Sequence, residues 1–267
     1  MSLLFKAGEI SKNRRIELFP ENTPLKQISF SILVLEKGEF IDLCHKDHET
    51  AVIVLSGKIS VEGSGISTAS LGERDSVFGG KACALYLPPG CKVLISAVEV
   101  VELAISQAYS SATNLRAKIV TPEKVVTKSV GKDNWSRSVN VIMGPEFPAD
   151  KMVIGETYNP PGNWSSSPPH KHDEHNPPHE SLHEELYYYR VYPSQGFGIQ
   201  RIYTEDEAID ECHTVRDGDV IVIPRGYHPV VAGPGYQLYY LWILAGSERQ
   251  TAWQEDPNHS WIHDKYE

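Results

Sequence analysis

The apolar stretches of this chain are short, rich in Val, Ile and Leu, and broken every few residues by Gly, Pro, Asn or Asp. A helix needs uninterrupted turns to bury one face, and Gly or Pro inside it is destabilising, so 20 Gly and 18 Pro spread without a repeat through 267 residues leave little room for long helices. Collagen-like and coiled-coil folds are excluded on the same ground. Short β-branched runs between turn residues are what strands require. ISFSILVLEKGEF from Ile28 and IDLCHKDHETAVIVLSGKISVEG from Ile41 read as successive strands, as do Ala84–Leu87 and Lys92–Ile105 on either side of Pro88-Pro89-Gly90. Thr113–Thr127 carries mixed charge and reads as a linker or crossover. Beyond it the rhythm resumes in Met152–Tyr158, Glu185–Tyr192, Phe197–Tyr203, Thr214–Val215, Asp219–Ile223, His228–Ala232 and Gln237–Leu244. The tail from Ala245 reads as a loop or short helix packed on a barrel. Two passages match in position: Val52–Val61 with Leu186–Tyr203, and LPPG at Leu87 with IPRG at Ile223. The expected fold is therefore all-β, two similar barrels or sandwiches divided at residues 1–118 and 119–267.

Charge narrows the possible partners. Asp and Glu outnumber Lys and Arg by 35 to 25, a net charge of −10, and the basic residues are dispersed. Nucleic acid and anionic membrane surfaces attract clustered cations, so neither is an expected partner. An anionic small molecule stays possible, because local arginines act within a screening length of roughly 8–10 Å. The most apolar run, KVLISAVEVVELAIS from Lys92, contains Glu99 and Glu102 and is too short to span a bilayer. Cys44, Cys83, Cys91 and Cys212 show no CxxC spacing, and MSLLFKAGEISKNRR lacks a secretory apolar core. Free thiols and a cytoplasmic location are expected.

One segment carries most of the chemistry: PPHKHD from Pro168, then, after a polar insertion, EELYYY from Glu184. Side chains two apart on a strand share a face, so His170 and His172 can reach one ion. Glu185 opens the next strand, and His228, in GDVIVIPRGYH from Gly218, supplies a third imidazole. Three nitrogens and a carboxylate suit zinc, manganese, iron, nickel or cobalt. His175, His179 and His183 lie in an irregular insertion that fixes no direction, and Glu184 would face away from Glu185.

These residues resemble the two motifs of the cupin superfamily. Gly162, His170, His172, Glu185 and Gly196 match the first motif; Gly218, Pro224, Gly226 and His228 match the second. The insertion before Glu185 and the single residue between Gly226 and His228 depart from the general pattern. NWSSSPPHKHD, EELYYYRVYPSQGFGIQRIYT, GDVIVIPRGYHPVVAGPGYQLYYLWILAG, DPNHSWI and the NRRIEL beginning at Asn13 resemble the 5-deoxy-glucuronate isomerase family of bicupins in myo-inositol catabolism, and more distantly the 5-keto-4-deoxyuronate isomerases. The resemblance implies two cupin barrels that can exchange terminal strands. It also implies one divalent metal ion, zinc first, in the second barrel and none in the first, where His45 and His48 have the wrong spacing and LPPGCK lacks a histidine.

The implied reaction converts 5-deoxy-D-glucuronate to 5-dehydro-2-deoxy-D-gluconate, by an enediol or a hydride shift. Glu185, Tyr187 and Lys171 are the catalytic candidates, with Tyr189 and Glu184 as further proton carriers. A substrate carboxylate calls for arginine. Arg201 comes first, then Arg225, with Arg190 and Arg249 weaker. Tyr189, Tyr203, Tyr227 and Tyr240, with Tyr187, can line a sugar site. A cupin oxygenase and a nonenzymatic sugar-binding cupin are the other function classes this pattern allows, and exposed barrel edges with the related enzymes make a homo-oligomer a reasonable expectation.

Overall fold

The computed structural model describes residues 1–8 and 14–263; Asn13 lies outside them. Among the described residues helix is confined to short 3-10 turns. Each half of the chain builds a large antiparallel sheet over a smaller one. The first large sheet runs Lys118–Val120, Cys83–Leu87, His48–Ser56, Val101–Tyr109, Ile28–Leu35, Arg14–Leu18. The second runs Leu4–Phe5, Val220–Ile223, His183–Tyr192, Gln237–Gly246, Met152–Asn159, Arg137–Met143, Val126–Val130. The two orders correspond strand for strand, apart from the extra edge strand Val126–Val130. Leu87-Pro88 and Ile223-Pro224 end equivalent strands, as the matched LPPG and IPRG suggest. The second large sheet takes an edge strand from the start of the chain, Leu4–Phe5 on Val220–Ile223, and Lys118–Val120, where the two halves join, edges the first on Cys83–Leu87.

The smaller sheets are Phe40–Cys44, Lys92–Ala97, Ile59–Gly63, Ile66–Leu71 in the first half and Trp164–Ser165, Val230–Ala232, Gly198–Tyr203, Asp210–Val215 in the second. Several strands differ from the sequence expectation. The run from Lys92 breaks at residues 98–100, because its second part turns back to pair with Ile28–Leu35. Thr113–Thr127 contains the edge strand Lys118–Val120 and a 3-10 turn at Pro122–Lys124, so it crosses from one large sheet to the other. Arg137–Met143 is a strand the composition did not announce.

One apolar core joins the halves. The outer faces of the large sheets bring Phe30, Ile53 and Tyr86 together with Ile154, Tyr188 and Tyr239. Two carboxylates latch this junction in matching positions. Glu184 accepts hydrogen bonds from the backbone N–H groups of Lys26, Gln27 and Ile28 at 2.7, 2.6 and 2.7 Å. Glu49 accepts them from Asp150, Lys151 and Met152 at 2.8, 2.9 and 2.8 Å, and the Tyr86 hydroxyl at 2.7 Å. The buried Arg74–Glu156 pair, at 2.6 Å, adds a third polar link.

The barrel interiors differ. The first is filled by Leu33, Val52, Val54, Leu85, Ile95 and Leu103 with their neighbours. The second keeps a cavity of about 430 Å³.

Candidate active site and metal centre

The cavity wall is one face of the second large sheet. Its lining residues alternate along five adjacent strands: Lys128 and Val130; Arg137, Val139 and Val141; Val153 and Thr157; Tyr240, Trp242 and Leu244; His183, Glu185 and Tyr187. Period-two alternation is what a strand imposes. Gly155 belongs to the same face, and a Cβ there would lie 2.1 Å from the Trp242 ring, so the absence of a side chain makes room for the indole.

Ligand-type atoms converge at one end. One nitrogen each of His170, His172 and His228 lies within 4.8 Å of the others. Glu185 Oε2 is 3.1 Å from His172 Nε2 and 3.2 Å from His228 Nε2. Two ligands on a tetrahedral ion with bonds of roughly 2.0–2.1 Å stand about 3.3 Å apart, and the two Glu185–histidine separations match such an edge. The His228 Nε2 atom is buried without a hydrogen bond, a costly state for a polar atom that coordination would relieve. Outer contacts fix two rings: His172 Nδ1 lies 3.1 Å from the His183 carbonyl, and His228 Nδ1 lies 2.9 Å from the Gly226 carbonyl. Both would donate from Nδ1 and present Nε2 to the ion. The residues present therefore fit a divalent metal.

Burial and the neighbouring imidazoles push His170 well below the usual histidine range, leaving it neutral as a ligand must be. Burial opposes the charge on Glu185, but the His172 and His228 imidazoles beside it outweigh that cost and hold the carboxyl at about 2. Burial, with the Glu185 charge, pushes the Tyr187 phenol well above its ordinary value. Tyr187 Oη is 3.2 Å from Ser166 Oγ, and Tyr240 Oη is hydrogen-bonded to Ser165 Oγ. The tail covers the opening: Gln254–Glu255 pairs with His170–Lys171, and the Trp253 ring lies 5.6 Å from that of His170.

A model of the KduI/IolB family matches residues 3–262. The chain belongs to the KduI/IolB family. It is 38% identical over 248 residues to a 5-deoxy-glucuronate isomerase of Geobacillus kaustophilus, covering 92% of this chain and 90% of that one. It is 36% identical over 261 residues to the protein of that name from Bacillus subtilis strain 168, covering 96% of each. The crystal structure of an IolB-like protein from Salmonella typhimurium, 32% identical, matches with a TM-score of 0.94 over 98% of this chain and all of that one. An oxalate decarboxylase variant from Bacillus subtilis, 15% identical, shares the fold at a TM-score of 0.65 over 98% of this chain and 83% of that one. This KduI/IolB chain is accordingly a bicupin and an isomerase.

Of the residues singled out by sequence, the KduI/IolB fold brings His170, His172, Glu185, His228, Tyr187 and Tyr240 together. The others sit elsewhere. Lys171 turns away from the cavity and is held by Asp173 at 3.0 Å and Glu180 at 3.1 Å; these acids, against the cost of burial, raise its pKa. Asp173 also accepts the Gly226 N–H at 2.7 Å, which ties the His170–His172 segment to the His228 loop. Tyr189 shares the inward face with Tyr187 but is packed against the Tyr240 ring at 5.7 Å, outside the cavity lining, and is bonded to Gln200, whose amide donates to the His228 carbonyl at 3.1 Å. Tyr203 donates to Asp256 at 2.6 Å, and Tyr227 to Glu205 at 2.6 Å.

Arg201 is exposed and paired with Asp210 at 2.8 Å; Arg225 is exposed and paired with Asp206 at 3.2 Å. The alternation of Gln200-Arg201-Ile202 was compatible with either orientation, and it is Gln200 and Ile202 that are buried. Glu184 is a junction latch. Sequence reasoning missed Arg137, Lys128, Thr157, Ser165 and Trp253 on the cavity wall. The available signal was the alternation Arg137-Ser138-Val139-Asn140-Val141, which places the arginine on the face of the two valines.

Proposed function

We propose that this protein is a metal-dependent aldose–ketose isomerase that converts 5-deoxy-D-glucuronate to 5-dehydro-2-deoxy-D-gluconate in myo-inositol degradation, using the second barrel, residues 119–267. The observation that carries the reading is the convergence of His170, His172, His228 and Glu185 in the cavity, in a chain whose full-length relatives bear that enzyme's name. These four residues would hold one divalent ion, zinc first. Bound there, the ion supplies a Lewis acid for the carbonyl and the adjacent hydroxyl.

The chain's own groups then have distinct tasks. Aldose-to-ketose conversion through an enediol takes a proton from C2 and returns one to C1, while a hydroxyl proton moves from the C2 oxygen to the C1 oxygen. Glu185 is ionised, with Oε2 turned to the histidines; its Oε1 takes the C2 proton and delivers it to C1. Tyr187 keeps its proton, so it donates a hydrogen bond to the oxygens between which the hydroxyl proton moves. Four unpaired cysteines suit a reducing cytoplasm.

The test is to assay metal-depleted and metal-replenished protein with 5-deoxy-D-glucuronate in deuterated water. Activity lost on chelation, restored by a divalent ion, and accompanied by deuterium in the product is expected. Full activity after chelation overturns the metal assignment. Complete retention of the substrate hydrogen overturns the enediol path, and turnover of 5-keto-4-deoxyuronate alone overturns the substrate.

A further inference from the structure

We propose that Arg137, with Lys128 beside it, is the subsite that receives the substrate's carboxylate and so orients the carbonyl end of the sugar acid toward the histidine cluster. This deepens the isomerase reading and rests on it for the identity of the anion.

Among the described residues the cavity is lined by one arginine and one lysine, and these are the two. Both belong to the edge of the wall: Lys128 lies opposite Val139 in the ladder, and Arg137 is the next inward position on the neighbouring strand. That strand is three places along the sheet from the one bearing Glu185, and Arg137, His170 and Glu185 line the same cavity.

The state of the guanidinium points to a ligand. Arg137 Nη1 donates to the Trp135 carbonyl at 3.1 Å, and its plane lies against the Trp135 ring at 6.0 Å. Its Nε is buried with no hydrogen bond, and no acidic side chain pairs with it among the described residues. Other arginines near the junction and the barrel are engaged. Arg74 pairs with Glu156, Arg190 with Glu102 and Asp217, Arg201 with Asp210, and Arg249 donates to the backbone carbonyls of Met152, Pro145, Phe147 and Gly144. The acids on the cavity wall are also committed, Glu185 to the histidines and Glu255 to His263 at 3.0 Å. A guanidinium offers donors in a planar fork that matches a carboxylate. A cation at the edge of a mostly apolar wall, with a free buried donor and no acid of its own, is built to take an acid from outside.

The test separates this subsite from the isomerase reading by measuring binding without turnover. Metal-loaded wild type and Arg137→Gln are titrated calorimetrically with D-gluconate, a sugar acid lacking the aldehyde, and with sorbitol, its neutral counterpart. Steady-state constants for 5-deoxy-D-glucuronate and metal content are measured in parallel. Wild type should bind gluconate at least tenfold more tightly than sorbitol. Arg137→Gln should lose that preference and raise KM more than tenfold while retaining metal and sorbitol binding. Lys128→Gln should show the same pattern, reduced to a few-fold.

Gluconate affinity unchanged in Arg137→Gln overturns the proposal, whether or not the enzyme isomerises the uronate. If the wild type binds gluconate through Arg137 but does not turn over 5-deoxy-D-glucuronate, the substrate reading falls and the anion subsite stands. Should Arg137→Gln not fold, Arg137→Lys serves, since it keeps the charge but loses the fork. Its gluconate affinity should drop while its sorbitol affinity holds, and unchanged gluconate affinity again refutes the subsite.

Discussion

Glu184 and Glu185 are adjacent carboxylates with opposite duties, and substituting Glu184 tests that division. Its oxygens accept three backbone N–H groups from Lys26, Gln27 and Ile28, all within 2.7 Å. A glutamine that keeps its oxygen where Oε1 accepts Gln27 and Ile28 turns an NH2 toward Lys26, so one bond is lost outright and the other two lose their charge. At roughly 1.5–3 kcal/mol for a hydrogen bond to a charged group against roughly 0.5–1.5 for a neutral one, Glu184→Gln should cost about 3–6 kcal/mol. A chain of this size loses roughly 2–4 °C of Tm per kcal/mol, so the melting temperature should fall by about 10 °C. Glu49→Gln removes the equivalent latch in the first barrel, which contacts Asp150, Lys151 and Met152, and should cost a similar amount. The assay is calorimetric melting of metal-loaded protein, with kcat measured well below the transition. Both variants should keep wild-type kcat within about threefold, since neither side chain touches the reacting atoms. A Glu184→Gln protein that melts within about 2 °C of wild type but has lost a hundredfold in kcat would refute this reasoning and make Glu184 a proton carrier, since general acid–base groups contribute on that scale.

Other perturbations address the site and the junction separately. Tyr187→Phe removes a hydroxyl that keeps its proton beside Glu185; kcat should fall about 10²-fold with metal content unchanged, and loss of metal instead would show that the phenol supports the ligands. Glu180→Gln weakens the clamp on Lys171 and Asp173 and through it the loop of His228. Metal affinity should fall about tenfold, as for other outer-shell partners, with near-normal kcat when metal is saturating; unchanged affinity with collapsed kcat would mean that Lys171 acts on substrate. Glu156→Gln leaves the Arg74 guanidinium, 2% exposed, without its acid, and should cost about 3–5 kcal/mol in a melt while sparing metal content.

Legibility in the sequence followed the physics of each residue. The convergence of His170, His172, Glu185 and His228 was readable because two histidines at strand spacing share a face and the Gly and Pro around them fix the turns. The aliphatic strands were readable because burial on both faces selects continuous Val, Ile and Leu, as at Ala51–Leu55. Arg137–Met143 was hidden for the converse reason. Its inner face carries an arginine beside two valines, and an arginine in an alternating strand ordinarily marks the solvent side. Arg201 misled in the mirror sense, because its strand buries Gln200 and exposes the arginine. An inward cation becomes legible only once Val139 is paired with Lys128 and Thr157, which is long-range information.

The correspondence of Glu49 with Glu184 explains how two barrels of like topology can differ so much inside. Successive side chains on a strand face opposite sides, so the latch and the residue after it serve different masters. In the second barrel the latch Glu184 faces the junction, while Glu185 and Tyr187 face the cavity. In the first, Glu49 makes the same junction contact, while Thr50 and Val52 take the next two inward positions and aliphatic packing closes the interior. Replacing ligands by Val and Leu on an inner face leaves every outer-face hydrogen bond intact and gains buried apolar surface, about 25 cal/mol per Å². A barrel can therefore lose its cavity without loosening the dimer-like junction that both barrels need. The strand period keeps the junction on one face of each large sheet and leaves the other face to the filled interior of the first barrel and the cavity of the second.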